Sequence, residues 1–148
     1  MNMLAVHYIA YEDDYVGWAE QQADLLRARQ VDQLDIEQLI MELDDIVRNH
    51  RRELTSRLRI LIMHLLKCEF QPDRKSSSWV ATLATQRAEI ELLLDQNPCM
   101  KPQVADAAQH AYPIAVRVAA KETGLSRRLF PAALPYSLHQ LLDYDFEP

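Results

Sequence analysis

A chain of 148 residues is long enough to bury a core of its own, and its 49% apolar and 26% charged content is that of a globular protein. A formal charge of −6 argues against a dedicated nucleic-acid binder. Two cysteines, Cys68 and Cys99, stand without ligand spacing, which suits a reducing compartment and offers neither a disulfide framework nor a zinc site.

Only Gly17 and Gly124 are available for turns and bulges, while the good helix formers Leu, Ala, Gln, Glu and Arg abound, so the composition points to helices. The start, "MNMLAVHYIAYEDD", lacks the basic first region of a secretory signal. His64 and Lys67 interrupt the longest apolar run, so no membrane span is expected and the chain is placed in the cytoplasm.

The first predicted helix covers residues 12–29. Tyr11, Tyr15, Trp18, Leu25 and Leu26 approach a 3.6-residue period, with Gln22 as a polar slip, and Glu12, Asp13 and Asp14 occupy the first turn. The second is expected from residue 35 to 69. Asp35 with Gln38 three residues on reads as a capping box. Ile36, Ile40, Leu43, Val47, His50, Leu54, Leu58, Leu61 and Leu65 then step by three and four without a slip, giving a helix of roughly 50 Å. Ile60 to Leu66 is apolar on nearly all sides, which implies burial among several neighbours.

A serine of "PDRKSSS" caps the third helix, whose inner face is Trp79, Leu83, Ile90, Leu93 and Leu94; "DQNPCMKP" ends it. The fourth opens with Pro102 in its first turn, is Ala-rich, and carries Pro113 inside it, where a kink or break is expected; Gly124 closes it. In the tail, Ser137 caps a short helix over residues 138–142. No repeat or linker divides the chain. The expected fold is all-α: one domain over residues 1–148, a bundle of four main helices around one long central helix, with a short helical C-terminal tail.

Charge is placed unevenly. Residues 1–46 hold 2 basic and 11 acidic side chains, residues 47–90 hold 9 and 4, and residues 91–148 hold 5 and 7. The acidic first part and the basic middle are expected to pair.

Several constellations carry chemistry-bearing residues. Glu42, Glu53 and His64 are spaced by 11, which puts them within roughly 40° of one another on a helix but about 16 Å apart per step. They cannot share one ion, and the Glu-x-x-His step of carboxylate-bridged bundle sites is absent. A polar seam is the default, with His64 a hydrogen-bonded core imidazole whose partner is a carboxylate of the first helix. Arg48, Arg51, Arg52, Arg57 and Arg59 are the candidate phosphate contacts, set against a salt-bridged face. Arg74, Lys75, Ser76 and Ser77 precede a helix start and form a candidate anion site, though no Gly-rich loop accompanies them. Cys68 beside Lys67 reads as an inert buried thiol rather than a nucleophile. No complete catalytic or cofactor motif is present, and neither cofactor nor metal is expected.

Across most of its length the sequence resembles a bacterial family catalogued as domain of unknown function twenty-nine. The likeness runs through "YEDDYVGWAEQQADLLR", through the block from "LIMELDDIVRNHRRELTSRLR" to "ILIMHLLKCEFQPDRKSSSW", through "TQRAEI" and through "TGLSRRLFPAALPYSLHQLLDYDFEP". Cys68 and Glu147 depart from it, standing where aromatics are common in the family. The resemblance implies a small, all-helical cytosolic bacterial protein and transfers no activity, cofactor or catalytic residue. The expected function is a non-enzymatic helical protein-interaction module with an unknown partner or with itself. A nucleic-acid-associated protein using residues 48–59 ranks second, and an enzyme or metal protein centred on His64 third.

Overall fold

The computed structural model describes residues 7–148. Among them every regular element is helical. Four long helices, α1 (Tyr15–Arg27), α2 (Ile36–Phe70), α3 (Ser77–Gln96) and α4 (Val104–Thr123), are followed by a short one, α5 (Leu138–Leu142), and 3₁₀ turns punctuate the connections. The all-α expectation, with one long helix and a short helical tail, is what the structure has. The chain divides into two compact units, Met1–Val47 and Arg48–Pro148, and the boundary falls inside α2.

The first unit is built from α1 and the start of α2. Asp14 caps α1 by accepting the Gly17 N–H at 2.9 Å. A Cβ at Gly17 would collide with that same carboxylate, so glycine permits the cap. The helix therefore begins three residues later than its acidic run suggests, with Glu12 and Asp13 in the turn before it. Trp18, Gln22 and Leu25 form its buried face.

α2 is 35 residues long, about 52 Å at 1.5 Å per residue. Its start is capped as a box would be, but by different hands. The Asp35 carboxylate accepts the Gln38 N–H at 3.4 Å, while the Asp35 N–H donates to Gln22 Oε1 of α1 at 2.7 Å. The polar slip on the α1 face is thus an amide with a structural bond.

In the second unit, Leu54, Leu58, Leu61, Ile62, Leu65 and Leu66 of α2 are buried in a single core cluster. Full burial of each such side chain is worth about 1.5–3 kcal/mol before the entropy of ordering is subtracted. α3 contributes Leu83, Ile90, Leu93 and Leu94, and α4 an alanine face of Ala108, Ala111, Ala115 and Ala119. Ser76 caps α3 by accepting the Trp79 N–H. Pro102 belongs to a 3₁₀ turn (Pro98–Gln103) and not to the first turn of α4, which starts at Val104. Nor does Pro113 break α4, which is continuous from Val104 to Thr123. Pro113 lies on the exposed side, as does Gln109, whose carbonyl lacks the N–H that a proline cannot give; water can take its place. Gly124 ends the helix in the left-handed conformation, φ 74°. Ser137 and Gln140 form the capping box of α5, and Arg87 of α3 donates to its last carbonyls, Leu141 O at 2.9 Å and Gln140 O at 3.1 Å.

Candidate functional site

The first unit brings four aromatic side chains onto two carboxylates, Asp35 just before α2 and Glu42 within it. Glu42 accepts a hydrogen bond at each oxygen, from Tyr11 Oη at 2.6 Å and Tyr15 Oη at 2.7 Å. These two bonds hold its carboxyl below the ordinary range, and the Tyr11 hydroxyl, bonded to that carboxylate, is pushed up to about 12. Asp35 accepts from Tyr8 Oη at 2.9 Å and Trp18 Nε1 at 3.1 Å. The rings pack edge to face, Tyr11 on Tyr15 at 5.2 Å and on Trp18 at 5.0 Å between centroids. Rings at these separations are in edge-to-face contact. The cluster is a clamp that ties α1 to the first turns of α2.

The clamp decides which side of α2 remains outside. Asp35 and Glu42 face α1. At 100° per residue, Ile36, Ile40, Leu43 and Val47 form a ridge about a third of a turn away from them. All four are large, apolar and about half exposed or more: 48%, 53%, 64% and 49%. The same three-and-four stepping further along α2 gives Leu54, Leu58, Leu61 and Leu65, none of which exceeds 1%. Periodicity alone reads the two stretches as one buried stripe. The structure covers the second and leaves the first exposed.

Glu42, Glu53 and His64, the candidate functional residues, each have a separate partner. Glu53 pairs with Arg57 one turn on at 3.5 Å, and Arg57 also reaches Glu89 of α3 at 3.7 Å. His64 is half-buried, and its Nδ1 lies 2.9 Å from Ile60 O of its own helix. That bond takes the place of the expected carboxylate. A carbonyl only accepts, so Nδ1 carries the proton, and burial keeps the imidazole below its usual pKa. Among the described residues no three His, Cys, Asp or Glu side chains are grouped to hold a metal ion.

Next to His64 stands a constellation the sequence did not disclose. Lys67 is buried, bonds Glu122 of α4 at 2.7 Å, and lies 4.4 Å from the centroid of the Trp79 ring. Gln71 donates to Thr123 O at 3.1 Å beside it. Cys68 is buried, and burial pushes its thiol up, which opposes thiolate chemistry.

Of the candidate anion-binding set, Lys75 pairs with Glu147 at 2.9 Å and Ser76 is engaged as the α3 cap, with Ser78 Oγ at 2.9 Å. Arg74 and Ser77 are exposed.

Among the described residues no helix is long and apolar enough to cross a membrane. No curated protein and no solved structure matches the chain. One family profile does match, described as "Domain of unknown function DUF29", and it covers residues 10–147. The match takes in the clamp apart from Tyr8, the ridge, the Lys67 constellation and the tail, so the chain belongs to the DUF29 family.

Proposed function

We propose that the protein is a non-enzymatic helical interaction module of the bacterial cytoplasm, and that Ile36, Ile40, Leu43 and Val47 are its contact surface. The observation that carries the reading is the ridge itself: four large apolar side chains at helical spacing, each about half exposed or more. An exposed apolar ridge bounded by acids favours association, because covering it removes apolar surface from water. The two free cysteines agree with a reducing compartment. The nucleic-acid reading is weaker, since Arg57 is occupied by Glu53 and Glu89. So is an enzyme centred on His64, whose ring bonds a backbone carbonyl of its own helix.

The experiment is affinity capture with the wild-type chain and with Ile40→Ser/Leu43→Ser as paired baits. A surface contact predicts proteins retained by the first and lost by the second, with far-UV circular dichroism unchanged between them. Identical recovery on both baits removes the ridge as the contact surface.

A further inference from the structure

The charges around the ridge select its occupant. We infer that Ile36, Ile40, Leu43 and Val47 receive a basic amphipathic helix of a partner protein. The inference rests on the interaction reading above and adds the chemistry of the partner.

The ridge steps by four, three and four residues, the spacing of a two-helix seam, and is about 16 Å long. Residues 35–47 carry Asp35, Glu37, Glu42, Asp44 and Asp45 and no basic side chain. The unit Met1–Val47 holds eleven acidic and two basic side chains, a net −9, and one of the two cations, Arg27, already pairs with Asp24 at 2.7 Å. Glu37 and Asp44 are exposed, seven residues apart, and lie on one flank of the ridge roughly a quarter turn from its centre. A helix with apolar residues at matching steps would cover the ridge, and Lys or Arg beside them would meet these two acids.

The same charges disfavour the other occupants. Two copies paired through this segment bring one −9 surface onto another. In the antiparallel register that sets Ile40 on the other copy's Leu43, Glu37 falls within about 3 Å along the axis of the other copy's Asp44, like charge beside like. An anionic lipid surface is repelled in the same way.

The test is calorimetric titration of the full chain with two helical peptides of about 21 residues, three heptads each. Both carry Leu at the seam positions; one carries Lys and the other Glu elsewhere. The Leu/Lys peptide is expected to bind, and to weaken by at least about tenfold as salt rises from about 0.05 to about 0.5 M. Ile40→Ser/Leu43→Ser keeps every charge and Glu37→Gln/Asp44→Asn keeps the ridge; each is expected to cost at least about tenfold in affinity. The Leu/Glu peptide is expected not to bind. Equal binding of both peptides, or undiminished Leu/Lys binding by the ridge variant, overturns the inference.

Light scattering on the free chain separates the two levels. A dimer abolished by Ile40→Ser/Leu43→Ser discards the basic helix but keeps the interaction surface. A monomer that binds neither peptide discards the basic helix and leaves the contact surface to be decided by the capture on paired baits.

Discussion

Burial of His64 has a consequence that can be measured at a single residue. Its native pKa lies below the unfolded value of about 6.5, so between the two the unfolded chain binds more proton. Stability from this group is therefore complete above about pH 6.5 and falls as pH drops through the window. His64→Gln is expected to flatten the pH dependence of the urea midpoint between about pH 7 and 5; an unchanged slope would move the effect to other groups. One turn on, Lys67 depends on Glu122 and on the Trp79 face. Glu122→Gln leaves a buried ammonium with a weaker acceptor, and because Glu122 is itself partly exposed the expected cost is about 1 kcal/mol by denaturant unfolding. Lys67→Met, which removes the charge and keeps the chain volume, is expected to cost less than Glu122→Gln. Neither Lys67 nor Gln22 was legible in the sequence as a structural residue. Both sit at apolar-face positions, and an amide or ammonium in such a place marks a buried polar group whose partner lies far along the chain, where spacing carries no information.

The elements were legible wherever a local signal sets them. Asp35, Ser76, Gly124 and Ser137 each stand at the helix end that their residue types indicate, because a cap is a bond within a few residues. The break that Pro113 suggests is absent for a complementary reason: the unpartnered carbonyl belongs to Gln109, an exposed residue, and exposure is a tertiary property. Tertiary support is most concentrated at α5, five residues long and too short to persist alone. Arg87 holds it by donating from Nε and Nη2 to two successive carbonyls. Lysine offers no such planar fork. Arg87→Lys and Arg87→Met are both expected to destabilise by about 2–3 kcal/mol and to release the tail from residue 124 onward to limited proteolysis. A tail as resistant as wild type in the methionine variant would show that apolar packing of Leu141 is sufficient.

At the scale of the molecule, α2 is one helix with two environments. The unit Met1–Val47 is net −9, and the remaining residues, with 14 basic and 11 acidic side chains, are net +3, which sums to −6. From Leu54 to Leu66 the helix is clamped by core on several sides, whereas Ile36 to Val47 is held through Asp35 and Glu42 and exposes its ridge. The sequence run is equally regular in both, so periodicity could not tell a stripe covered by its own chain from one left open. Amide exchange can. Opening of the core stretch requires loss of the cluster around Leu58 and Leu61, so its slowest amides are expected to report global unfolding. Along α2 the buried side chains begin at Leu54, so the amides of the 36–47 stretch are expected to exchange faster by at least about a hundredfold. Adding the Leu/Lys peptide is then expected to slow exchange over 36–47 while leaving 58–66 unchanged, because a ligand stabilises only the opening that destroys its site. Uniform protection along α2 in the free chain would mean that the exposed half is as firmly held as the buried one. The ridge would then be a rigid surface and not the loosely held face that gains order on docking.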